Sequence, residues 1–107
     1  MHMKTVWFEC YIHGFEGWDE EVDLTDDEYD RLIDAMKKGE EFFDCEEIAD
    51  IYKKVYSLVV SSATANFMEF MPEVVAPYVE ENKNWKADDT YFVGVNFPEY
   101  LYEEIEA

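Results

Sequence analysis

Apolar and polar residues alternate from Thr5 to Ile12: Val6, Phe8, Cys10 and Ile12 share one side, Trp7, Glu9 and Tyr11 the other. That period of two predicts a strand. His13-Gly14-Phe15-Glu16-Gly17 supplies two glycines for a hairpin loop. From Trp18 to Leu24 the alternation resumes, with Trp18, Val22 and Leu24 inward, Asp19, Glu21 and Asp23 outward, and Glu20 a misfit on the inward side. A half-buried antiparallel hairpin follows.

The period then changes to that of a helix. Thr25 and Glu28 stand at capping-box spacing, and Leu24 and Tyr29 at the spacing of a hydrophobic staple. Asp26, Asp27 and Glu28 place negative charge where the helix dipole favours it. Tyr29, Leu32, Ile33 and Met36 form the apolar stripe, and Lys37-Lys38-Gly39 ends it. Asp44 and Glu47, with Phe43 and Ile48, repeat the same devices and predict a second helix from Asp44. Its stripe runs Ile48, Ile51, Tyr52, Val55, Leu58, Val59, Ser62 and Ala63, extending toward Phe67 and Phe70, until Pro72 closes it. Pro77 leaves Glu73 to Glu81 ambiguous; a short third helix between Pro72 and Asn82 is the expectation. Asn82 to Asp89 reads as a polar loop holding Trp85. Thr90 to Phe97 reads as a third strand, with Tyr91, Val93, Val95 and Phe97 on one face and Gly94 marking a close approach or a bulge. The acidic tail from Glu99 to Ala107 predicts one terminal turn. The expected fold is α+β: a three-stranded antiparallel sheet of N-terminal hairpin plus C-terminal strand, two to three helices on one face, and a single domain over residues 1–107.

Charge changes the picture more than any motif does. The chain has 27 Asp and Glu against 8 Lys and Arg, a net of −19 in 107 residues. Acidic chains poor in aromatic residues are disordered. This one carries 8 Phe, 8 Tyr and 3 Trp, so a packed core is expected. Between Glu16 and Asp50 stand sixteen carboxylates and three basic residues, Arg31, Lys37 and Lys38. From Ile51 to Tyr78, by contrast, two Lys balance two Glu. A long helix so sparsely charged is either the pillar of the domain or a surface for a homodimer. The acidic field repels nucleic acid and anionic membrane and attracts basic proteins.

Candidate chemistry is sparse. Met1-His2-Met3 resembles a cloning remnant, which leaves His13 as the histidine to weigh, and it has no partner at metal-ligand spacing. Asp19, Glu21, Asp23, Thr25, Asp27 and Asp30 fall at calcium-loop offsets, yet Leu24 stands where that loop needs glycine and Asp30 where it needs glutamate. Cys10 lies on an apolar strand face. Cys45 lies among carboxylates that oppose thiolate formation. No phosphate loop or nucleophile elbow occurs. No cofactor, metal or catalytic residue is expected, and two isolated thiols without a signal-peptide pattern point to the cytoplasm.

The acids themselves are arrayed. Asp19, Glu21 and Asp23 project from one side of the second strand at intervals of roughly 6.6 Å. Asp26, Asp30 and Asp34 recur every four residues along the first helix, about 6 Å apart. Asp27, Glu40 and Glu41 extend the acidic surface, and Glu46, Glu47 and Asp50 carry it onward. In size, acidity and lack of catalytic motifs the whole chain resembles the small single-domain inhibitors that phages and mobile elements direct against bacterial defence nucleases, anti-CRISPR proteins and other DNA mimics. Those families share no single fold, so the resemblance implies a mode of action and not an architecture. It implies a non-enzymatic inhibitor whose carboxylates occupy the groove of a basic nucleic-acid-handling protein, such as a CRISPR effector, without touching nucleic acid itself.

Two other readings stand beside it. One is an interaction module, an antitoxin or immunity-type partner recognised through Trp7, Tyr11 and Trp85, with Phe92 on the same uncovered sheet face. The other is a small enzyme or cation-binding protein. The acidity also serves solubility, which a small domain reaches with a net charge of magnitude about 2–8.

Overall fold

A computed structural model describes residues 3–15 and 17–106; Glu16 of the predicted hairpin loop, with Met1, His2 and Ala107, lies outside them. The chain is an α+β domain in the order β1 (Met3–Ile12), β2 (Trp18–Thr25), α1 (Asp26–Lys37), α2 (Ala49–Phe70), α3 (Pro72–Glu81), β3 (Val93–Asn96) and α4 (Tyr100–Glu106). The sheet is antiparallel with strand order β2-β1-β3, so the C-terminal strand lies beside β1 as expected.

The hairpin register pairs Val6 with Val22 and Trp7 with Glu21. Even-numbered side chains of both strands therefore share the inner face, and odd-numbered ones the outer face. Val6, Phe8, Cys10, Val22 and Leu24 are buried accordingly. Glu20, the inward misfit, is half-buried and satisfied: its carboxylate accepts from the Trp18 indole N–H (3.1 Å) and from the Ser62 hydroxyl on α2 (2.6 Å). At the head of α1 the capping box is complete, with the Glu28 N–H donating to Thr25 Oγ1 and the Thr25 N–H donating to Glu28 Oε1. Gly39, at φ +74°, carries the chain out of the helix while its N–H bonds the Met36 carbonyl.

The segment before α2 departs from expectation. The Asp44–Glu47 capping box does not form; two short 3-10 turns, Phe42–Asp44 and Glu46–Ile48, precede a helix that begins at Ala49 without a side-chain cap. Phe42, Cys45 and Ile48 are buried, every third residue, which matches three residues per turn. Phe42 is the anchor: its ring stacks on Phe8 (5.5 Å) and Phe97 (4.9 Å) and meets Tyr52 edge-on (5.0 Å). Phe43, the predicted staple, is instead 62% exposed.

α2 spans 22 residues, about 33 Å at 1.5 Å per residue. It buries Ile51, Val55, Val59, Val60, Ala63 and Phe67, whereas Leu58 and Phe70 of the predicted stripe are exposed. α3 forms with Pro72 in its first turn; Pro77 is within it and exposed, as is Glu73, whose carbonyl it cannot satisfy. β3 is shorter than predicted because the Thr90 and Tyr91 N–H groups still bond the Ala87 carbonyl, holding the chain in a turn up to that point. Gly94 marks a close approach by a side chain: the Tyr11 ring lies where a Cβ would stand. The tail builds a seven-residue helix, α4, anchored by buried Leu101.

Candidate functional site

The outer sheet face gathers the first group of predicted residues. Asp19, Glu21 and Asp23 are exposed on β2, opposite Glu9, Trp7 and Thr5 of β1, and Asp23 accepts from the Thr5 hydroxyl (2.7 Å). Trp7 stands half exposed among them. Glu9 has its pKa raised, by burial and then by the charges of Glu99 and Asp19. Glu99, at the entrance to α4, therefore joins the acidic face.

Asp30 and Asp34 line a groove between α1 and α4, together with Tyr29, Ile33, Lys37 and Glu104. The groove and the sheet face adjoin at Tyr100, whose hydroxyl accepts from the Trp7 backbone N–H (3.1 Å). The acids of α4 were missed as site residues: the tail's composition was legible, but its docking against α1 depends on contacts remote in sequence. Asp26 and Asp27 are exposed in the first turn of α1.

Asp27 is partly offset. Arg31 lies 3.9 Å from it and clasps Asp50 of α2 through two nitrogens (2.7 and 3.0 Å), which holds the Asp50 carboxyl below the usual range. Lys54 of α2 reaches Glu28 at 3.1 Å, and Lys38 pairs with Glu47. Burial pushes Glu28 up, but the Thr25 N–H and Lys54 outweigh it and the net shift is down. Lys4 is placed over the Tyr29 ring, 4.2 Å from its centre. Half of the eight basic residues thus engage carboxylates or a ring within the molecule, and Asp19, Glu21 and Asp23 of β2 have no salt-bridge partner among the described residues.

Glu40 and Glu41 touch this group only at its edge, through Glu99. They lie near the C-terminal end of β3, beside Phe97, Glu99 and Tyr102. Glu41 also borders an aromatic groove of about 400 Å³ that follows β3 and includes Tyr11, Tyr52, Tyr56 and Phe92. Tyr11 shares the outer face with Trp7, as its parity indicates, and from there its ring crosses to cover Gly94 and meets Phe92 at 6.2 Å. Trp85, expected as an exposed recognition aromatic, is buried: Tyr78 stacks on it (6.1 Å), Phe67 meets its edge (6.3 Å), and its indole N–H donates to Thr90 Oγ1. A composition-based loop assignment had no means of locating that pocket.

The thiols are shielded. Cys10 is pushed up to about 12, by burial and then by the charge of Glu20; Cys45 is raised by burial and by Glu40. The calcium-spaced positions lie in β2 and α1 rather than in a loop, and no group of three or more metal-ligating side chains occurs among the described residues. No helix among them is long and apolar enough to cross a membrane. At the other end of the molecule a more apolar groove of about 480 Å³ runs between Phe15, Trp18, Phe67 and Phe70. No protein-family model, curated protein or solved structure matches the chain.

Proposed function

We propose that the chain is a non-enzymatic inhibitor that occupies the nucleic-acid groove of a basic, nucleic-acid-handling protein, of which a CRISPR effector is the leading case, in the cytoplasm. The observation that carries this reading is linear charge. The molecule measures 48 × 28 × 22 Å and bears 19 net negative charges, one per about 2.5 Å of its long axis. Duplex DNA carries one per about 1.7 Å and each strand one per about 3.4 Å. The carboxylates of β2, Glu9, Glu99, Glu104 and the Asp30–Asp34 row supply much of that charge from two adjoining surfaces. Such a field accelerates encounter with a basic groove and excludes its normal ligand.

The test is capture of a target from host lysate at low and high salt, followed by quadruple charge reversal: Asp19→Lys, Glu21→Lys, Asp30→Lys and Asp34→Lys. Affinity is expected to fall at least about tenfold and inhibition to be lost, with a steep salt dependence in the parent. Unchanged affinity in the reversed variant sinks the reading.

A second reading is favoured by the exposure of Trp7 at 47% and Phe92 at 66%: an antitoxin or immunity-type module recognised through these rings. Trp7→Ala would then weaken binding more than any charge change, and the salt dependence would be shallow.

A further inference from the structure

β3 is an edge strand, and its unpaired side can be located residue by residue. The register sets Glu9 opposite Asn96 and Tyr11 opposite Gly94, and the His13 N–H donates to the Phe92 carbonyl (2.9 Å). In an antiparallel ladder, hydrogen-bonded and non-hydrogen-bonded pairs alternate. Phe92, Gly94 and Asn96 therefore turn their N–H and C=O groups toward β1. Val93 and Val95 turn theirs away, and those groups have no hydrogen-bond partner among the described residues. The parity continues along β1: the Trp7 N–H points the same way as those of Glu9 and Tyr11, and beyond the end of β3 it finds the Tyr100 hydroxyl.

Natural edges are blunted by lysine, proline, bulges or a covering element. Val93-Gly94-Val95-Asn96 carries no lysine, proline or bulge; the Phe42–Asp44 turn lies against it and Val93 and Val95 are each 5% exposed, so their unpaired groups meet solvent only through the groove beside the strand. Its open side gives onto the aromatic groove, which Tyr56 and Phe92 flank. The two ends of the groove are acidic. Glu41 stands at the Asn96 end, and Asp88 lies by Tyr56, whose hydroxyl is 3.3 Å from its carboxylate. Burial and the Asp88 charge push that phenol up to about 12, so it stays a neutral donor.

We propose that this edge takes an extended basic segment of the partner protein as a fourth strand. Main-chain bonds to Val93 and Val95 fix its register, and lysine or arginine side chains reach Glu41 and Asp88 across the aromatic rings. Opposite charge selects this occupant over a second copy of the chain, because each copy carries −19. The proposal rests on the reading of the partner as a basic protein, and it adds a site distinct from the acidic rows.

The probe is a capped seven-residue peptide alternating lysine and valine, compared with the same peptide N-methylated at alternate residues, which keeps the charge but cannot pair. At about 0.15 M salt, where the Debye length is about 8 Å, the unmethylated peptide should slow hydrogen exchange at the Val93 and Val95 amides at least about tenfold. It should also bind at least about tenfold more tightly than the methylated one. Val95→Pro should abolish that difference; if it fails to fold, Asp88→Lys in an otherwise native chain should weaken the unmethylated peptide at least about fivefold. Equal binding of the two peptides, unchanged exchange at Val93 and Val95, or a free chain that dimerises through β3 overturns the proposal. Loss of target inhibition on reversal of Asp19, Glu21, Asp30 and Asp34, together with no peptide pairing at β3 of the native chain, leaves the inhibitor reading standing and removes only the edge site. Pairing that persists in a chain with no basic target does the reverse.

Discussion

The half of the molecule built by β2, α1 and α4 and the half built by α2 and α3 meet opposite demands. The first spreads carboxylates over its surface and stays folded through local devices: a complete capping box, a glycine exit, and cations turned back onto acids. The second carries little charge and packs Phe67 against Tyr91 (4.9 Å), Phe15 (5.3 Å) and Trp85 (6.3 Å). Two ion pairs join the halves, Arg31 to Asp50 and Lys54 to Glu28. Exposed pairs of this kind contribute about 0–1 kcal/mol each. Cohesion therefore comes from the shared apolar core, to which the acidic half gives Leu24, Leu32, Met36 and Leu101 and the other half Ile51, Val55 and Val59, while the outer side of the acidic half is free to be an electrostatic surface.

That division can be broken most forcefully at Phe67. Phe67→Ala should cost about 3–5 kcal/mol in urea denaturation, whereas Trp7→Ala on the exposed sheet face should stay within about 0.5 kcal/mol. Comparable losses at the two sites would mean that the exposed sheet face carries packing of its own. A smaller effect probes the seam. Ser62→Ala removes one of the two donors to the Glu20 carboxylate and should cost about 1 kcal/mol. Full retention of the urea midpoint would show that the carboxylate turns to water instead.

The smallest effects should have the opposite sign. Asp30→Asn with Asp34→Asn removes a like-charged pair four residues apart and should stabilise by a few tenths of a kcal/mol. The pH response follows the same logic. Glu9 has a raised pKa in the fold, so its charged form is a penalty that is relieved as pH falls through that raised value. Asp50 and Glu28 have lowered values; their contribution is present above the ordinary carboxylate range and is lost as pH falls through the depressed ones. The melting temperature should therefore rise as pH falls from neutrality toward the ordinary carboxylate range of about 4, and fall again below it. A monotonic fall from pH 7 would place the acids in compensated positions.

Much of this was legible where the cause is local. Strand faces follow from a period of two, and α1 from cap chemistry within four residues, so the hairpin, its inward face and the first helix are where the sequence indicates. Only the start of the second helix differs, at Ala49 rather than Asp44, because Asp44 and Glu47 imitate a capping box while the deciding signal is the three-residue period of Phe42, Cys45 and Ile48. The register that leaves Val93 and Val95 unpaired, the burial of Trp85 and the approach of Glu99 to Glu9 come from contacts remote in sequence. Asp19, Glu21, Asp23, Asp30 and Asp34 were readable as exposed rows, but the groove that α4 makes beside the last two was not. The inward Glu20 was visible as an anomaly, and its answer lay 42 residues away on α2.

The 48 Å long axis with its uncompensated charge has a consequence for the water around it. A body so densely anionic gathers mobile cations from solution, as a nucleic acid does. A cationic groove that took hold of it would set those ions loose. Much of the resulting affinity would then arise from the entropy of dissolved salt, leaving the protein's own side chains to decide chiefly where the two bodies come to rest.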